Sequence, residues 1–299
     1  MAFCGKHDLI RANCVISRVL DFWHLCVLAP VRWGFQRKAI TRNLRRGSVQ
    51  VIVIGVAAWH AHALAADVTV LAAGAAKDLV ANIEAPFTLV TGHRIKATFD
   101  TVGAQRERVE KGERPDVVIL SSAAIAQLDK LGLIEAASIR DIGDVQVGLA
   151  RIATGDAQGQ SAPNISTPQT LRATLLAAKS IAYADPARGA TAGAHFAKVL
   201  AALGIKDELA KRTTVLPFGV EVIEAVAAGK YEIGVSQSSE IVQHKGVRYI
   251  GALPPPHQLA TRYQIAALKD RPLGNSLADF AVTERGKAAS RESGFEAPR

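Results

Sequence analysis

Four short stretches combine residue types that can hold a small anion. They are Ala73-Gly74-Ala75-Ala76-Lys77, Ser121-Ser122-Ala123, Asp185-Pro186-Ala187-Arg188-Gly189-Ala190-Thr191 and Ser236-Gln237-Ser238-Ser239. Each follows an apolar run and precedes or sits in a polar, small-residue turn. A helix that starts there points free N–H groups and a partial positive charge at the crevice beyond the strand. Gly74, Ala75 and Ala76 permit close approach to the backbone, and Lys77 adds a cation. Arg188 adds a guanidinium, which binds carboxylates bidentately, and Gly189 and Thr191 flank it. Ser236, Gln237 and Ser238 add hydroxyls and an amide. Each stretch also has a plainer reading. Gly74 fits a simple turn, Lys77 a solvated first turn, Ser121 or Ser122 a helix cap, Arg188 a surface cation and Ser236–Ser239 a polar loop.

Catalytic and metal signatures are lacking. No G-x-S-x-G, H-E-x-x-H or Walker A pattern occurs, and His93, His195, His244 and His257 show no metal-ligand spacing. No cofactor is expected.

The elements that must position these stretches alternate in kind. Val68–Ala72 is a buried strand, and Leu79, Ile83, Phe87 and Val90 mark a helix ended by Gly92. His93–Phe99 is a strand, Gln105–Lys111 a polar helix, Val117–Leu120 a buried strand, and Ile125, Leu128 and Leu131 a helix closed by Gly132. Val145–Ile152 is strand-like, Thr154–Ser166 a polar loop, and Thr167-Pro168 opens a further helix. Strands at 181–184, 213–216 and 232–236 then alternate with helices at 191–203 and 220–228. Such alternation predicts an α/β fold with helices on both faces of its sheets. Val247–Leu253 and Arg262–Leu268 are strands around Pro254-Pro255-Pro256, and a last helix holds Leu277, Phe280 and Ala281. The expected domains are lobe 1 at 66–147, lobe 2 at 148–244, and a return to lobe 1 at 245–299.

Ahead of residue 66 the chain changes character. Arg45 and Arg46, an apolar run from Val49 to Ala58, and Ala63-Leu64-Ala65 read as an export signal at 45–65. An uncleaved anchor is the other reading. Residues 1–44 are an N-terminal extension or an early-assigned start. Cys4, Cys14, Cys26 and all three tryptophans lie upstream of residue 66. Nine of the 36 Lys/Arg but only two of the 27 Asp/Glu lie there too, so the rest of the chain carries a net charge of +2. The basic balance therefore gives no reason to expect nucleic acid. The absence of cysteine after residue 65 excludes disulfides and thiolate metal sites there.

From Val68 to Phe295 the chain resembles the periplasmic molybdate-binding protein family, the solute receptors of ABC importers. The anchors are Val70-Leu-Ala-Ala-Gly-Ala-Ala-Lys-Asp-Leu79, Thr91-Gly92, Val109-Glu-Lys-Gly112, Pro115-Asp116-Val117-Val118, Gly132-Leu133-Ile134, Ala184-Asp185-Pro186, Glu224-Ala-Val-Ala-Ala-Gly-Lys-Tyr-Glu-Ile-Gly234 and Gly294-Phe295. The resemblance implies a two-lobed type II periplasmic-binding-protein fold with mixed sheets and a ligand cleft between the lobes. It places the family's first oxyanion-binding serine at Ala75 and its second near Val102, ahead of Gly103. Ser236–Ser239 stand where the family has a tyrosine. Each absent hydroxyl removes a hydrogen bond to the anion worth about 1.5–3 kcal/mol.

The expected function is therefore an exported, periplasmic solute-binding protein, not an enzyme. It would act as a monomer, close on a small anion and deliver it to an inner-membrane ABC permease. A carboxylate is expected if Arg188 enters the cleft, and an oxyanion such as molybdate if it does not. The alternatives are a membrane-anchored sensing receptor and an enzyme on the same fold.

Overall fold

Apolar β-branched runs do become strands here, and the helices between them bury one face each. The computed structural model describes residues 65–153 and 162–298. The expectations for residues 1–44, for the export signal up to Leu64 and for most of the 154–166 loop lie outside the described residues.

The first lobe begins with β1 (Asp67–Ala73), α1 (Lys77–Thr91), β2 (Arg94–Asp100), α2 (Val102–Glu110), β3 (Val117–Ser121) and α3 (Ser122–Lys130). β1 lies between β2 and β3, parallel to both. Leu79, Ile83 and Phe87 of α1 are buried, as their spacing predicts, whereas Val90 is exposed. Gly92 ends α1 in the left-handed region at φ +74°, a conformation that glycine adopts without a Cβ penalty. Thr101 caps α2 and Ser121 caps α3.

β4 (Arg140–Ile152) is longer than expected and belongs to both lobes. Its first half, Arg140–Gln146, pairs antiparallel with β9 (Ala260–Ala267), which pairs in turn with β3. Its second half pairs with β7 (Ile233–Gln237) and with β8 (Val247–Ala252). The second lobe also contains α4 (Pro168–Ala177), β5 (Ile181–Ala184), α5 (Thr191–Ala202), the short α6 (Lys206–Leu209), β6 (Thr213–Leu216), α7 (Gly219–Ala227) and α8 (Ser238–Val242). β5 lies parallel to β6 and β7. Pro168 sits in the first turn of α4 behind a Thr167 cap.

Each lobe has its own core. One apolar cluster joins β1, β3 and β9 to α1, α3 and α9 (Pro272–Ala281). In the second lobe, one cluster lies under α4 and α5 and another under α7 and α8. The last helix of the sequence reading is two helices, α9 and α10 (Glu284–Glu292), separated at Thr283, which caps α10.

The return to the first lobe is corrected by the structure. It was expected at residue 245, but β8 pairs with the second half of β4, so the crossing falls at 253–259. There the Leu253 N–H donates to Val147 O (3.0 Å) and the Val147 N–H donates to Leu259 O (3.1 Å). β4 at Gln146–Val147 and the 253–259 segment thus run side by side as a double hinge.

Candidate functional site

A cavity of about 170 Å³ lies between the lobes. Strand-to-helix junctions form its walls. Gly74, Ala75 and Lys77 come from the β1–α1 junction, and Asp100, Thr101 and Val102 from the β2–α2 junction. Ala190 and Thr191 stand at the start of α5, Phe218 and Gly219 at the start of α7, and Ser236 and Gln237 at the end of β7. The starts of α1, α2, α5 and α7, all of nine residues or more, therefore surround one space. Most of the lining is apolar, with Phe99, Val102, Phe218 and Val220 supplying the larger walls.

Two polar groups stand out against those walls. Gln237 is 3% exposed, and its carboxamide faces the Tyr263 hydroxyl and the Glu240 backbone N–H, with no well-formed hydrogen bond to either. A buried amide left wholly unpaired costs about 1–3 kcal/mol, so this poorly paired one, on a residue lining the cavity, stands to gain from a further partner. The second group is the Glu240 carboxyl. Its Oε2 accepts a short hydrogen bond from the Ser236 hydroxyl and a longer one, 3.4 Å, from the Gln237 N–H. Burial pushes the Glu240 carboxyl above its ordinary range, and Asp78 adds to the rise. The bonds from Ser236 and Gln237 offset part of it. Tyr263, buried in the same wall, is also pushed up, first by burial and then by Glu240.

Two glycines make room for that carboxyl. A Cβ on Gly219 would stand 2.3 Å from Glu240 Oε2 and 2.5 Å from Ser236 Oγ, and a Cβ on Gly74 would stand 3.0 Å from Glu240 Oε1.

The rim above the cavity is a contact between the lobes. Arg188 Nη2 lies 3.3 Å from Asp100 Oδ1, and the guanidinium carbon lies 4.7 Å from the centre of the Phe218 ring. The Thr101 hydroxyl donates a short bond to Arg188 O, and the Gly103 N–H donates to Gly189 O at 3.3 Å. The backbones meet so closely that a Cβ on Gly103 would be 2.8 Å from Gly189 Cα.

The structure sorts the residues singled out in the sequence. Gly74, Ala75, Lys77, Val102, Thr191, Ser236 and Gln237 line the cavity. Ala76 is fully buried behind its neighbours. Gly103, Arg188 and Gly189 form the rim and a shallow depression outside it. Arg188 was read either as a ligand contact or as a surface cation, and its guanidinium lies 3.3 Å from Asp100 of the opposite lobe. Ser238 is buried and accepts a bond from the Gln146 N–H at 3.1 Å. Ser121 and Ser122 lie away from the cavity. Ser121 is spent on its cap, and Tyr263, opposite it in the β3–β9 register, forms the wall there.

Phe99, Asp100, Thr101, Phe218, Gly219 and Glu240 escaped the sequence reading. Asp100-Thr101 and Phe218-Gly219 follow strand-like runs just as the other four junctions do, so the signal was available for those four residues. Nothing local marks Glu240. Among the described residues no group of three His, Cys, Asp or Glu stands close enough to hold a metal ion. None of their helices is long and apolar enough to cross a membrane.

Solved structures of similar fold include bacterial periplasmic binding proteins. The periplasmic molybdate-binding protein of Azotobacter vinelandii superposes with a TM-score of 0.64 at 17% identity, covering 78% of this chain and 100% of that one. A periplasmic binding protein of A. tumefaciens in complex with agropinic acid gives 0.55 at 17% identity, over 78% and 82% of the two chains. In sequence, the aconitate isomerase of a Pseudomonas species is 24% identical over 238 residues, 76% of this chain and 87% of that protein. The two-lobed fold and the cleft agree with a family match that spans residues 68–296, and the chain belongs to the bacterial extracellular solute-binding proteins.

Proposed function

We propose that this protein captures a small organic carboxylate outside the cytoplasm and presents its closed lobes to an inner-membrane ABC permease. The observation that carries this reading is the buried, poorly paired Gln237 carboxamide at a cavity framed by four helix starts. A bound carboxylate would accept from Nε2, and the helix N–H groups would take the rest of the charge. The carboxylate is preferred over a tetrahedral oxyanion because Phe99, Phe218, Val102 and Val220 are poor partners for an ion that is polar on every side. They suit a ligand with a carbon body. An engineered cavity of about 150 Å³ admits benzene, so about 170 Å³ fits a short acid. Arg188 is held by Asp100 at the rim and is not a lining residue, which by the sequence argument alone would favour an oxyanion; the apolar walls outweigh that argument. The names of two relatives, one for aconitate and one bound to agropinic acid, point to organic acids as well.

Thermal unfolding with succinate, citrate, aconitate, molybdate, tungstate and sulfate tests the reading. At a hundredfold excess over Kd a true ligand stabilises by about 2.7 kcal/mol, or roughly 5–10 °C for a chain of this size. Stabilisation by the oxyanions alone would contradict the carboxylate assignment. Stabilisation by none of the six would contradict an anion cleft.

A second reading has one observation in its favour. The cavity holds two carboxyl groups, Asp100 and Glu240, and proton transfer on a bound acid needs such groups. Incubation of aconitate with the protein in deuterium oxide separates the two. Deuterium appearing at carbon would mark an isomerase, and its absence a receptor.

A further inference from the structure

We propose that Glu240 meets the bound anion as a neutral carboxylic acid, donating from Oε1, so that capture of the ligand takes up one proton. This rests on the anion cleft argued above and adds a second side-chain donor beside the Gln237 amide. The geometry divides the two oxygens. Oε2 already accepts from Ser236 and from the Gln237 backbone. Oε1 has no hydrogen-bond partner among the described residues and lies 3.0 Å from where a Gly74 side chain would begin, on the cavity side. An ionised Glu240 would turn a negative oxygen toward an anion in a site of low polarity, whereas the acid turns an O–H donor toward it.

The charges around it agree. Asp78 of α1 and Tyr263 of β9 act on it, Lys77 and Asp100 share the cavity lining, and Glu221 of α7 and Tyr249 of β8 belong to elements packed against α8. Asp78 disfavours the ionised form, and Asp100 is occupied by Arg188. Asp144 of β4 is held by Arg262. Lys77 is exposed and lies at the cavity mouth, so its charge is largely screened by solvent.

Calorimetric titration of the whole chain with succinate, citrate and molybdate, each in two buffers of different ionisation heat, tests this. The expected result is uptake of close to one proton per anion at a pH above the Glu240 pKa of the free protein. Affinity should then fall about tenfold for each pH unit over that range. Glu240→Gln keeps a donor but cannot ionise, so its binding should take up no proton and lose the slope. Ser236→Ala removes a bond that favours the ionised form. It should shift the fall in affinity to higher pH, and it covers the case in which Glu240→Gln fails to fold. Binding by wild type without proton uptake, or the same uptake and slope in Glu240→Gln, would overturn the proposal. No heat from any of the three anions, with either protein at any pH, would overturn the anion cleft and this proposal together.

Discussion

At the scale of residues, the site combines one buried, poorly paired amide, one partly buried acid and two glycines that make room for the acid. Gly219→Ala would drive a methyl into the Glu240–Ser236 pair, where 2.3 Å is available. We expect a loss of about 1–3 kcal/mol in urea unfolding, together with weakened anion binding. Glu240 also gives stability a pH dependence. Its folded pKa is raised, so the folded state holds the proton more tightly than the unfolded chain. The stabilising contribution is complete below the ordinary carboxylate range. It is lost as pH rises from there through the folded pKa, and it is flat beyond. Urea midpoints of wild type measured against Glu240→Gln across pH should show this as a difference that shrinks with rising pH. A constant difference would contradict it. Little of this was legible in the sequence. Gln237 and Ser236 could be named because a polar run followed a strand. Glu240, three residues further on, looked like any first-turn acid, since burial of a charge arises only when the other lobe and α7 close around it.

At the scale of elements, strand-to-helix junctions carried most of what the sequence could show. The β1–α1, α5 and β7 junctions were placed correctly because an apolar run, a small-residue turn and a helical pattern follow one another locally. Arg188 was located correctly but its partner was not, because Asp100 lies 88 positions away in the other lobe. Strand β8 was assigned to the wrong lobe for a related reason. Antiparallel pairing without a connecting helix leaves no periodic signal to say which sheet a strand joins. The contact at Gly103 yields a specific expectation. Gly103 does not adopt a positive φ, so Gly103→Ala strains neither α2 nor its lobe. Its Cβ would nevertheless meet Gly189 Cα at 2.8 Å when the lobes are closed. Thermal stability without ligand should stay within about 0.5 kcal/mol of wild type, while affinity for the anion falls at least tenfold. Equal affinity would show that this approach is not needed for binding. Arg188→Ala should do less. An exposed ion pair contributes about 0–1 kcal/mol and an exposed cation–π contact about 0.5–1 kcal/mol. We expect a faster ligand off-rate in stopped-flow fluorescence, by roughly tenfold at most.

At the scale of the molecule, two cores joined by two adjacent crossings make a body whose lobes can separate without unfolding either one. β4 and the 253–259 segment are the only connections at that boundary among the described residues. His195 steadies the second crossing by bonding His257 O at 2.7 Å. The rim bonds of Thr101 and Gly103 form only when the lobes meet, so the geometry described here is the closed one. In the closed geometry the Gln237 carboxamide is shut away from water with only the Tyr263 hydroxyl and the Glu240 N–H as poorly placed neighbours. A receptor that closes on its ligand would keep such a group for the ligand. Gln237→Leu removes the poorly paired amide at nearly the same volume, so it reads the two roles with opposite signs. In calorimetric titration with succinate, citrate and aconitate, paired with unfolding of the ligand-free protein, Gln237→Leu should be as stable as wild type or up to about 1–3 kcal/mol more stable. Its affinity for the anion that wild type binds should be weaker by about one to two powers of ten. A variant that binds as tightly as wild type, or wild type binding none of these acids, would contradict an anion cleft built around Gln237.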